Sequence, residues 1–117
     1  MTDKLLVVIL SGPDLRMRAR QGIKFALNTF RSEMMDKVEL ILFGPGVSLL
    51  DPHHPWFDEA SELLADCSKE GVMTMACMAN AKHYRVTESA RQLEVKLLGA
   101  QILIPSRIKE GWGVMTF

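Results

Sequence analysis

Two six-residue stretches constrain this chain more than any other feature: Leu5-Leu6-Val7-Val8-Ile9-Leu10 and Val38-Glu39-Leu40-Ile41-Leu42-Phe43. The first is apolar at every position and stops at the breakers Ser11-Gly12-Pro13-Asp14. It is too short for a helix, and a run apolar on both faces is a strand covered on both sides, as in the middle of a parallel sheet. The second stops at Gly44-Pro45-Gly46. Between them the period changes. Leu15, Ala19, Gly22, Ile23, Ala26, Leu27 and Phe30 recur every three or four residues, with Arg16, Arg18, Arg20, Lys24 and Arg31 mostly on the other side. That is an amphipathic helix over residues 15–31. Its cations read first as a solvated face.

The alternation continues. Trp56, Ala60, Leu63, Leu64 and Cys67 form the stripe of a second helix that Gly71 ends, as glycine does at a C-terminal cap. Val72 to Ala76 reads as a third strand, with Met73, Met75 and Cys77 on one face and Val72, Thr74 and Ala76 on the other. Met78 to His83 reads as a short helical turn. Thr87 as N-cap, with Ala90, Leu93, Leu97 and Leu98, predicts a helix ending at Gly99. Ile102-Leu103-Ile104 then reads as a fourth strand stopped by Pro105-Ser106, Arg107 to Glu110 as one turn at most, and Val114 to Phe117 as the last strand. Strands alternating with helices predict a mainly parallel sheet with helices on both faces, a three-layer α/β/α domain over residues 1–117.

Composition narrows the function. The chain has 117 residues, a hydrophobic fraction of 48% and a formal net charge of zero. That balance excludes disorder and argues against general nucleic-acid binding, which needs an excess of Lys and Arg. No run approaches the ~18–20 apolar residues of a membrane helix, and the N-terminus lacks a secretory pattern. Two cysteines without a leader predict reduced thiols and a cytoplasmic location.

In open parallel sheets ligands gather beyond the carboxyl ends of the strands. Here those ends are predicted at Ser11-Gly12, Gly44-Pro45-Gly46, Cys77 and Pro105-Ser106, and Cys77 is the one conspicuous nucleophile. Cys67 lies on a helix stripe, where a free cysteine acts as a small inert hydrophobe. Ser11, Gly12, Gly44, Pro45, Gly46 and Asn80 are the candidate ligand-binding residues around that edge. Gly44-Pro45-Gly46 lacks the lysine and spacing of a phosphate loop and does not match the dinucleotide fingerprint. His53 and His54 are adjacent, which suits a loop better than a metal site, and no further ligand stands at metal-site spacing. Met73, Met75, Cys77 and Met78 offer soft sulfur atoms of the kind Cu(I) prefers, against a plainer reading as core. No metal and no cofactor is therefore predicted.

Leu40-Ile41-Leu42-Phe43-Gly44-Pro45-Gly46-Val47, the Gly71-Val72 opening with Ala76-Cys77-Met78-Ala79-Asn80, the segment from Gly99 to Pro105, and Glu110-Gly111-Trp112-Gly113-Val114 occur in this order across the chain. Together they resemble the DsrE/DsrF-like (DsrEFH) family of small sulfur-relay proteins. The resemblance implies a five-stranded α/β/α fold and assembly as trimers or hexamers. It further implies transfer of sulfane sulfur through a cysteine aligned with Cys77, between a donor and an acceptor protein. The residues around Cys77 are no signature of one relay subunit, so the pathway does not carry over. Three readings stay open for Cys77: a persulfide carrier with sulfurtransferase activity, a wall of a small-ligand pocket in a non-catalytic binding or interaction module, or a packed thiol with no chemistry. Trp56, Trp112 and the apolar end Val114-Met115-Thr116-Phe117 are the sequence features that suit a homo-oligomer.

Overall fold

The computed structural model describes residues 3–117. Five strands, β1 (Lys4–Ile9), β2 (Lys37–Leu42), β3 (Met73–Cys77), β4 (Lys96–Leu98) and β5 (Gly113–Thr116), form one sheet in the order β4-β3-β2-β1-β5. Every pairing is parallel, with Val7 beside Leu40 and Met115, Ile41 beside Met75, and Cys77 beside Leu98. The helices are α1 (Arg16–Arg31), α2 (Phe57–Glu70), α3 (Met78–His83), α4 (Thr87–Gln92) and α5 (Ala100–Lys109), with short 3-10 turns at Pro13–Leu15 and Gly44–Leu50.

The period-2 pattern of the strands divides the core in two. Leu5, Val7, Ile9, Val38, Leu40, Leu42 and Ala76 meet Ala19, Ile23, Ala26 and Leu27 of α1, Ala60, Leu64 and Cys67 of α2, and Ala81 and Ala90 of α3 and α4. On the opposite face Leu6, Val8, Ile41, Met75 and Cys77 pack with Ala100, Leu103 and Ile104 of α5 and with Trp112. Each fully covered Leu or Ile side chain contributes ~1.5–3 kcal/mol, so the first face, the larger, supplies most of the stabilisation.

The last third of the chain departs from the sequence reading. The predicted helix 87–98 stops at Gln92. Glu94 adopts a left-handed φ of 59°, and β4 follows on the edge of β3. Leu97 and Leu98 look like neighbours on a helix stripe, but as successive strand residues they enter opposite layers. The predicted strand Ile102-Leu103-Ile104 is instead the middle of α5, with Pro105 inside the helix. Parallel strands need a long crossover. β5 lies beside β1, four strand positions from β4, or ~19 Å at ~4.8 Å per spacing. α5 is that crossover, packed on the second layer, with Arg107 near its end paired to Glu39 near the start of β2. Pro105 and Ser106 therefore lie along a helix and not at a strand end.

Trp56 and Trp112 are buried, so neither offers surface to a second chain, contrary to the sequence expectation. Val114 and Met115 on edge strand β5 remain exposed. Among the described residues no helix is long and apolar enough to cross a membrane.

Candidate functional site

Cys77 is the last residue of β3 and the residue from which α3 begins, with extended backbone angles of φ −65° and ψ 119°. The connection after β3 runs to α3 and α4, whose buried residues join the first layer. The connection after the neighbouring β4 runs to α5 on the opposite layer. Where adjacent connections leave on opposite faces, a crevice opens beyond the carboxyl ends of the strands. Cys77 stands at that position. Its side chain belongs to the second layer, with Met75 and Ala100, and the residue is only 2% exposed. No side chain caps the start of α3, so its first-turn N–H groups are not claimed by a capping oxygen and favour an anion nearby.

Cys67 lies in a different environment. It is fully enclosed between α2 and α1, with its Sγ 3.9 Å from the Ile23 carbonyl oxygen. Burial, with lesser contributions from Asp66 and Glu70, pushes its thiol up to about 12. A thiol held neutral in this way is a poor nucleophile.

The glycine loop after β2 is shaped by chain packing. Gly44 adopts a left-handed φ of 54°, and its N–H donates to Asn80 Oδ1 at 2.8 Å. A Cβ on Gly46 would lie 2.0 Å from the carbonyl oxygen of Ile9. Gly12 in turn lies against the Pro45 carbonyl. Ser11, Gly12, Gly44, Pro45, Gly46 and Asn80 thus form one contiguous rim joining the ends of β1 and β2 to α3. The Cys77 side chain points into the other layer. The structure brings the rim residues together.

The two histidines are held by their own loop. His54 Nε2–H donates to Leu49 O at 3.0 Å, its Nδ1 accepts from the Trp56 N–H at 3.3 Å, and its ring packs edge-on to Trp56 and Phe57. His53 is solvent-exposed and bonds Asp51. The His53 backbone N–H, and secondarily its ring, hold the Asp51 carboxyl below its usual range. Among the described residues no group of three or more His, Cys, Asp or Glu is placed to hold a metal. Met75 is buried core, while Met73 is half exposed at the start of its strand.

Two features escaped the sequence reading. A cavity of about 390 Å³ opens at the carboxyl ends of β1 and β5, lined by Leu10, Ser11, Leu15, Arg18, Thr116 and Phe117. Its lining comes from both ends of the chain, so no local pattern announces it. A partly buried ion pair joins Glu39 of β2 to Arg107 of α5, and the Arg107 guanidinium also lies 5.0 Å from the Trp112 ring centroid. The signal for it was present as a lone acid within an otherwise apolar strand.

Comparison with solved structures finds the same architecture in proteins of little sequence similarity. A conserved protein of unknown function from Bacteroides thetaiotaomicron, BT1422, superposes with a TM-score of 0.83 at 16% identity, over 98% of this chain and 95% of that one. MTH1491 from Methanobacterium thermoautotrophicum, also of unknown function, gives a TM-score of 0.75 at 17% identity over 98% and 99%. The ychN protein from E. coli gives 0.72 at 14% identity over the full length of both chains. A comparison with curated protein sequences found no match. The family model for the DsrE/DsrF-like family matches residues 3–117. The match spans the glycine loop, the strand ending at Cys77 and the closing strand alike, and this chain belongs to the DsrE/DsrF-like family.

Proposed function

We propose that this protein handles sulfane sulfur through Cys77, accepting it as a persulfide and passing it to a partner thiol. The observation that carries the reading is the placement of Cys77 at the carboxyl end of β3, between connections that leave on opposite faces. The Cys77 thiolate attacks the outer sulfur of a donor persulfide. The S–S bond of the donor breaks, the donor leaves as a thiolate, and Cys77 carries the outer sulfur. An acceptor thiolate then attacks that sulfur and releases Cys77. No net oxidation occurs and no cofactor is needed. Because Cys77 is nearly covered, transfer requires part of that cover to move aside. The exposed Val114, Met115, Ile102 and Ile108 suit a homo-oligomer, a trimer or hexamer, working in a reducing compartment such as the cytoplasm.

Intact-mass measurement after incubation with a persulfide donor tests the chemistry. Wild type and Cys67→Ala gain ~32 Da, one sulfur atom, and Cys77→Ser gains nothing. A wild type that stays unmodified, or a Cys77→Ser chain that takes up the sulfur, would overturn the proposal. The near-complete cover over Cys77 favours a second reading, a binding or oligomeric interaction module in which the thiol only packs. An unmodified wild type together with a stable oligomer in light scattering supports it.

A further inference from the structure

The crevice between β1 and β5 is a second place where this sheet opens at its carboxyl edge, two strand positions from β3 and independent of chemistry at Cys77. Its volume, about 390 Å³, lies in the range of small-molecule sites, ~300–1,000 Å³. Three of its walls are apolar: Leu10 and Leu15, both more than a third exposed, and Phe117, which packs on Phe25. The polar lining is Ser11, Thr116 and Arg18.

Two observations give these polar groups a direction. Ser11 is 4% exposed, and its hydroxyl has no hydrogen-bond partner among the described residues, although its backbone N–H donates to Phe117 O at 3.3 Å. The only fully enclosed side-chain polar atom without a partner among the described residues is Trp112 Nε1. The Ser11 hydroxyl is therefore not sealed, and the space it borders is the crevice. The second observation concerns Arg18. Arg16 and Arg20 of the same helix both pair with Glu59, at 3.1 and 3.5 Å. Arg18 points elsewhere on the helix and makes no ion pair among the described residues. Asp14 lines the adjoining outer groove with Arg18 but is not within 4 Å of its guanidinium nitrogens.

We infer that this crevice binds a small organic carboxylate with a hydrocarbon body. The planar guanidinium of Arg18 takes the carboxylate, the Ser11 and Thr116 hydroxyls donate to it, and Leu10, Leu15 and Phe117 receive the apolar part. Arg18 is the one cationic side chain of the lining, and apolar walls on three sides disfavour a bare inorganic anion.

Titration of the full chain with 3-phenylpropionate, followed by amide NMR shifts and calorimetry, tests the inference. Saturable shifts centred on Ser11, Arg18 and Thr116 are expected. Weakening of about tenfold or more is expected with 3-phenylpropanamide, with Arg18→Gln and with Ser11→Ala, as for the loss of a hydrogen bond to a charged group. Cys77→Ala should bind as wild type does. Absence of saturable binding, shifts centred elsewhere, affinity unchanged in Arg18→Gln, or tighter binding of inorganic phosphate would each overturn it. Arg18 is exposed, so its variant tests binding without testing folding.

Discussion

Removing Arg107 should destabilise this fold far more than its position on an outer helix suggests. Glu39 lies on the central strand β2 and is only 7% exposed. Its carboxylate is met by Arg107 Nε at 2.8 Å and Nη2 at 3.3 Å, a two-pronged contact. Arg107→Ala leaves that carboxylate buried and unpaired. Breaking a buried pair in this way costs ~3–5 kcal/mol. The Arg107 side chain is itself 21% exposed, so water fills part of the vacated space and ~2–4 kcal/mol is the expected loss. For a chain of this size that is a fall in Tm of roughly 8–16 °C. Glu39→Met should cost less, because Arg107 lies at the surface and can swing its charge into water while the strand cannot move. The double variant Glu39→Met/Arg107→Met should recover most of the loss, since an apolar pair of similar volume replaces the buried charges. Urea denaturation of wild type, Arg107→Met, Glu39→Met and the double variant gives the cycle directly, with Arg107→Ala measured beside them. The reasoning fails if Arg107→Ala lies within ~0.5 kcal/mol of wild type, the scatter of ordinary surface substitutions. It also fails if the double variant is no more stable than Arg107→Ala.

Other outcomes follow from single contacts. Gly46→Ala places a methyl group 2.0 Å from the Ile9 carbonyl oxygen, and urea denaturation should show a loss above ~3 kcal/mol because backbone must move. Asn80→Ala leaves the Gly44 N–H without its 2.8 Å acceptor; the expected cost is ~1–2 kcal/mol in the same assay. Cys67 has its thiol raised from 9.0 to about 12 in the fold, so the folded state holds the proton more tightly than the unfolded chain. Its contribution to stability is whole below pH 9 and is lost as the pH rises toward about 12. The slope approaches ~1.4 kcal/mol per pH unit, and Cys67→Ala should lack that component. Native-state alkylation should accordingly leave Cys67 unmodified at pH 8, and modification of Cys67 in the folded protein would contradict the enclosure described.

The sequence by itself determined the first two-thirds of the architecture and the identity of the candidate thiol. Leu5–Leu10 and Val38–Phe43 can only be doubly covered strands, and the 3.6-residue stripe of α1 can only lie against them. The glycine after α2 and the alternation of Met73, Met75 and Cys77 placed the cysteine at a strand end and on a known face. These features are legible because each is a local pattern whose period matches the element it forms.

Tertiary structure decided the remainder. Leu97-Leu98 and Ile102-Leu103-Ile104 are short apolar runs that suit helix or strand equally. Their states follow from the empty edge of β3, which takes β4, and from the need for a crossover that returns the chain to the amino end of β5 beside β1. The close packing of the rim glycines is a tertiary contact, because Ile9 and Asn80 approach Gly46 and Gly44 from far along the sequence. The same long-range placement sets Glu39 under Arg107 and closes a crevice from Ser11, Arg18 and Thr116. No window of sequence contains both halves of these contacts, so the geometry that turns separate residues into sites exists only once β5 has docked beside β1.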